Sequence, residues 1–373
     1  MIDPRIRKWA QVMTAYSAPV KPGDEVSIMG TTLAEPLILE LYRAVLERDG
    51  IPQIMMSPTV QGEYLYRYAS DAVLEKISDL THYAAERVNI SYHVLSDDNT
   101  RAMSEVDPAK MVRRRRAFRP ISEISNKREV EGDFTWSLTL FPTAAYAQDA
   151  EMSLLDYSDF VFEACMLNDD DPVGRWRELS ERQQHLVDFL DQAHEVHVRG
   201  PGTDLRLGIG GRTWVNSDGK HNFPSGEVFT GPVENEVNGT ITFNFPGVYS
   251  GREVRGVQLT FEEGKVVKAS AEHNQAFLNE MLDTDDGARY LGEVAFGTNY
   301  GIQRFMRNTL FDEKIGGTMH FALGRSLPLT GGENKSAIHW DLVLDLREDS
   351  EVRVDGELFQ QNGFFTMLDG GRV

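Results

Sequence analysis

Apolar positions at the start of the chain follow helical spacing. Ile6, Trp9, Ala10, Met13 and Tyr16 fall on one helical face, and Asp3-Pro4 opens it as cap and first-turn proline. After the Pro22-Gly23-Asp24 turn the pattern becomes a short apolar strand, Glu25 to Met29. It then returns to helical spacing from Glu35 to Arg48, stops at Gly50 and becomes strand-like again from Ile51 to Met56. Strand, helix and strand in that order predict a βαβ unit. Val88 to Leu95 and Thr135 to Phe141 predict further strands among helices, so the first half reads as an α/β domain with a largely parallel sheet. The first strand-to-helix junction, Gly30 to Ala34, lacks both the dinucleotide-binding glycine pattern and a P-loop lysine. No nucleotide cofactor is expected.

Helical periodicity returns from about Val173 to His194, and beyond it the texture changes to short alternating segments broken by glycine turns. The change divides the chain into an N-terminal α/β domain, 1–195, and an α+β, mainly antiparallel β, C-terminal domain, 196–373. Glu195 to Arg199, Thr203 to Leu207, Thr240 to Phe245, Val257 to Phe261 and Lys265 to Ala269 read as strands. A helix from about Ala271 to Leu282 and a second near Gly287 to Ala295 are predicted before strands around His320 and His339.

Charge narrows the partners. The chain carries 58 acidic and 38 basic residues, a formal net charge of −20, which opposes a phosphate-binding surface. Nucleic acid is therefore not expected as a partner. The one basic run, Arg113 to Arg116, lies in a helix-compatible stretch without interleaved aromatic residues and reads as a solvated or subunit-contact face. Cys165 is the only cysteine, so neither a disulfide scaffold nor a cysteine-rich zinc site can form. The N-terminal run Met1 to Lys8 lacks an apolar signal core, and no stretch approaches the ~20 apolar residues of a membrane span. A cytoplasmic setting without membrane insertion is the expectation.

Candidate chemistry collects in the second half. In Ser336 to Leu344 the β-rich texture predicts a strand, which puts the i, i+2 pair His339 and Asp341 on one face. An imidazole and a carboxylate so placed can ligate a metal, or can simply hydrogen-bond one another. His320 lies in a second glycine-bounded strand whose inward face carries Thr318, His320 and Ala322; a core histidine satisfied by a carbonyl is the alternative. Glu227 follows a proline and glycine turn, and Glu293 sits among small and apolar groups. Each glutamate taken alone also reads as a solvated acid.

Taken in order, these segments resemble the thermophilic metallo-aminopeptidase family, the aminopeptidase T and aminopeptidase S type. Phe223 to Thr230 and Gly287 to Ala295 look like the family's two glutamate motifs. His320-Phe321-Ala322-Leu323-Gly324 and Ile338-His339-Trp340-Asp341 look like its two histidine motifs, and Asp3 to Ile6 and Lys21 to Leu37 are also similar. The resemblance implies two divalent ions, cobalt, zinc or manganese, ligated by Glu227, Glu293, His320, His339 and Asp341. It also implies a homodimer enclosing the active site. One departure stands out: Leu327 occupies the position where the family places a tyrosine ligand. Weaker binding of one ion is the expected consequence.

The implied reaction is hydrolysis of the N-terminal peptide bond of peptides by a metal-activated water at a dinuclear site. Glu227 or Glu293 could also serve as general base. Two rival readings remain. His320, His339 and Asp341 alone make a 2-His-1-carboxylate set suited to a mononuclear iron ring-cleaving dioxygenase. A non-catalytic peptide- or metal-binding relative is the other, motivated by Leu327.

Overall fold

The computed structural model describes residues 3–249 and 251–373, with Asp369 described along its backbone alone. Met1 and Ile2, part of the N-terminal run considered above, lie outside them. The chain forms two compact units, one of residues 1–173 with 219–223, the other of residues 174–218 with 224–373.

In the first unit, strands Glu25–Thr31, Ile51–Ser57, Ile90–Leu95, Thr135–Leu140 and Asn222–Phe223 form a five-stranded sheet in which every pairing is parallel. The opening helix, Pro4–Val12, is capped by the Asp3 carboxylate, and its apolar face buries Ile6, Trp9, Ala10 and Val12. The Trp9 ring stacks near Phe141, meets Phe162 edge-on, and donates its indole N–H to Thr139 Oγ1 at 3.2 Å. The basic run belongs to a longer helix than its spacing predicts, Pro108–Glu131. There Arg113 pairs with Asp71 and Glu75, and Arg114 donates to the Leu74 and Lys76 carbonyls. These two arginines thus serve internal contacts.

The second unit is mainly antiparallel β. An eight-stranded sheet runs from Lys265–Ser270 at one edge to Phe364–Phe365 at the other. A five-stranded sheet has the order His339–Asp345, Thr318–Gly324, Leu291–Gly297, Glu227–Thr230 and Val215–Ser217. One hydrophobic cluster takes side chains from both sheets, among them Val196, Val198, Leu205, Leu207, Phe296 and Phe321. Leu186, Val187 and Leu190 of the helix Pro172–Leu190 enter the same cluster, so this helix groups with the second unit. The change in periodicity near 195 marks the end of that helix and the start of strand Glu195–Gly200.

One predicted element is different. The helix expected near Gly287 to Ala295 is a turn followed by the strand Leu291–Gly297, buried along its whole length. Val294 and Phe296 enter the hydrophobic cluster while Glu293 and Ala295 alternate to the opposite face. A Cβ at Gly292 would lie 2.3 Å from the Gly324 carbonyl and 2.4 Å from that of Arg325, so backbones touch there. Small residues that suit a helix by propensity here serve close strand packing. Among the described residues no helix is long and apolar enough to cross a membrane.

Candidate metal centre

Sheet alternation puts the candidate residues on one face. Asp341 is paired in register with Ala322, and Ala322 with Glu293; cross-strand partners share a face. His320 lies two residues before Ala322, and His339 two before Asp341, so both join that face. Ala295 and Gly297 continue it from Glu293, and Gly297 is in register with Glu227. The opposite face carries Val228, Val294, Phe296, Met319, Phe321, Leu323, Trp340, Leu342 and Leu344, all in the hydrophobic cluster. Ala322 and Ala295 are small enough to leave the long polar side chains room to meet.

All five residues picked from sequence come together. Glu293 lies between the two histidines: its Oε1 is 3.3 Å from His320 Nε2 and its Oε2 is 3.3 Å from His339 Nε2. His339 Nε2 is also 3.3 Å from Asp341 Oδ1, and His320 Nδ1 is 3.9 Å from Glu227 Oε2. His339 Nδ1 donates to the Arg325 carbonyl at 2.7 Å, and His320 Nδ1 donates to the Glu313 carbonyl at 3.2 Å. A carbonyl only accepts, so each ring keeps a proton on Nδ1 and turns Nε2 toward Glu293. That arrangement orients a histidine for ligation.

Two residues not picked from sequence complete the cluster. Glu313 and Lys314 follow the short helical turn Thr309–Asp312. Lys314 is fully buried, its Nζ 3.4 Å from Glu227 Oε1 and in close contact with Glu313 Oε2. Possible ligand atoms form two groups of three, Glu227 with Glu313 and His320, and Glu293 with His339 and Asp341; within each the atoms lie within 4.8 Å of one another. A signal for Glu313 existed in the apolar Leu310, Phe311 and Ile315 around it, which mark the turn as buried. The Asp-Glu-Lys composition instead suggests a solvated loop.

Burial and crowding shift the acid-base groups in opposite directions. Burial pushes the Glu313 carboxyl up to about 8, helped by the charges of Asp341 and Glu227 and opposed by Lys314. Burial would also raise Glu293, but hydrogen bonds from His320 and His339 hold it below its ordinary range. The same opposition leaves Asp341 strongly lowered, chiefly by His339. Burial would lower both imidazoles, yet Glu293, Glu313 and Glu227 raise His320 to about 9. Asp341 and Glu293 raise His339 to about 11.

The donors fit divalent metal. Glu227 Oε2 and Asp341 Oδ1 are buried and make no hydrogen bond of good geometry, with His320 Nδ1 3.9 Å from the first and His339 Nε2 3.3 Å from the second, one such oxygen in each group of three. Buried anionic oxygens left without a partner are costly unless a cation meets them. Imidazole nitrogens beside carboxylates form a mixed set suited to zinc, cobalt or manganese. Leu327 is half-buried at the start of the short turn Pro328–Thr330, and its carbonyl accepts from the Thr330 amide and hydroxyl.

Aminopeptidase 2 of Geobacillus stearothermophilus is 28% identical over 383 residues, covering 95% of this chain and 91% of the relative. Among solved structures, wild-type AmpT from Thermus thermophilus superposes with a TM-score of 0.84 at 23% identity, covering 98% of this chain and all of the other. A 2,5-dihydroxypyridine dioxygenase from Pseudomonas putida KT2440 shares the fold at a TM-score of 0.59 and 14% identity, with 98% of each chain covered. Residues 2–370 match the profile of the thermophilic metalloprotease (M29) family, and with a match of that extent the chain belongs to this family.

Proposed function

We propose that the chain is an aminopeptidase that holds two divalent ions, one at Glu227, Glu313 and His320 and one at Glu293, His339 and Asp341. The observation that carries this reading is the meeting of both groups at one sheet face, which Glu313 reaches from the turn after Thr309–Asp312, with Glu293 contacting a histidine of each. When bound, the ions supply Lewis acidity that activates water, polarises the scissile carbonyl and receives the free amine of the peptide's first residue. Glu293, in contact with a histidine of each group, is the carboxylate the two groups share. A glutamate of these groups, Glu227 or Glu293, takes a proton from the attacking water and passes it to the leaving amine. The fixed Nδ1 protons of His320 and His339 keep the rings from turning during that transfer.

The dioxygenase reading needs His320, His339 and Asp341 as one facial set. The two histidines instead fall in different groups of three, which favours the peptidase. The homodimer is part of the same proposal, and exposed aromatic rings at Tyr64, Tyr68 and Tyr83 of the first unit support it.

The test is release of the first residue from a short peptide with a free amine, compared with its N-acetylated form. Chelator should abolish release, and added cobalt, zinc or manganese should restore it. The acetylated peptide should survive, and the preparation should sediment at twice the chain mass. Unchanged turnover after complete metal removal, verified by elemental analysis, would reject the mechanism; sedimentation as a monomer would remove the dimer alone.

A further inference from the structure

Lys314 has no role in the reaction described above, yet its ammonium is enclosed among the metal-facing carboxylates. It is fully buried, and its Nζ contacts Glu313 Oε2 and lies 3.4 Å from Glu227 Oε1. Its backbone is fixed as well: its amide donates to the Phe311 carbonyl at 3.0 Å and its carbonyl accepts from the Asn299 amide at 3.0 Å. Both side-chain partners belong to the same group of three, Glu227, Glu313 and His320. No ion pair joins Lys314 to Glu293 or Asp341 among the described residues. The two metal positions therefore differ in charge. Once the carboxylates are ionised and both Nε2 atoms are free for metal, each group carries two negative charges, and Lys314, in contact with both carboxylates of the first group and reaching Asp341 only at longer range, offsets mainly the first.

We propose that Lys314 is a positioning residue that sets unequal affinities for the two ions, leaving the one at Glu227, Glu313 and His320 the weaker and exchangeable one. This inference rests on the dinuclear reading above. A fixed ammonium in a water-poor site repels a divalent ion placed against the same carboxylates. It also holds Glu227 and Glu313 together while no metal is bound, because carboxylates crowded at this depth repel one another without a counter-charge. Among the described residues no lysine or arginine pairs with the carboxylates of the second group, which takes metal first.

Titration calorimetry of the metal-stripped protein with manganese(II) reads the affinities directly. Wild type should take up two ions in unequal steps. Lys314→Met keeps the length of the side chain and removes the charge. It should tighten the weaker step by at least about tenfold and lower the melting temperature of the metal-free protein, with recovery on loading. A wild-type crystal given one manganese per chain should show anomalous density at Glu293, His339 and Asp341, a readout that does not depend on any variant folding. Density beside Lys314 instead, two equal steps in wild type, or an unchanged gap in a folded Lys314→Met protein would overturn the role of Lys314 alone. Absence of any bound manganese would reject the dinuclear reading itself.

Discussion

Glu293 gives one oxygen to each histidine, so neutralising it removes a contact from both groups at once. The metal-free protein holds His320 to about 9 and His339 to about 11, so both rings carry protons at neutral pH that an incoming ion must displace. Metal affinity should therefore rise with pH from neutrality toward 9, and uptake at pH 7 should release protons. Calorimetry in two buffers of different ionisation enthalpy measures that release. Glu293→Gln and His339→Ala should each weaken metal by at least about tenfold and lose activity while the fold survives. Retention of wild-type metal content and turnover by either folded variant would withdraw that residue from the site. At this scale the sequence was readable where periodicity applied. The i, i+2 spacing of His339 and Asp341 and the inward parity of His320 follow from strand geometry. Glu313 and Lys314 come from a turn, where no period tells a side chain which way to face, and a charged triplet looks solvated until neighbouring strands enclose it.

The strands supply the precision of the site, and Glu227 shows how. It begins the strand Glu227–Thr230 immediately after Gly226, whose φ of +118° is a conformation that side chains disfavour. Around this turn, Asn299 Nδ2 donates to the Ser225 carbonyl, the Thr298 amide donates to the Gly226 carbonyl, and Gln183 Nε2 donates to the Glu227 carbonyl. A Cβ at residue 226 would lie 2.7 Å from Asn299 Cβ. Gly226→Ala should cost about 1–3 kcal/mol of stability and weaken the ion at Glu227 more than the ion at Asp341. Thermal melts and metal titration check both parts, and wild-type values in each would show that the turn does not position Glu227. The element least legible in sequence was the Glu293 strand. Gly292, Ala295 and Gly297 weaken its β signature, and only the pairing with the strands on either side explains them. The parallel sheet of the first unit was clearer, because apolar strands alternate there with a well-marked helix and a glycine stop.

In the whole molecule, the five candidate residues come from four strands spread over more than a hundred positions of sequence, and one sheet collects them. That explains why each was ambiguous alone and why their order along the chain was informative. The central claim is that this face holds two ions, each at its own group of three. Anomalous diffraction from a crystal saturated with manganese tests it most directly. The account predicts two peaks per chain, one among Glu227, Glu313 and His320 and one among Glu293, His339 and Asp341. A single peak ligated by His320, His339 and Asp341 together, or metal bound elsewhere with both groups empty, would contradict it.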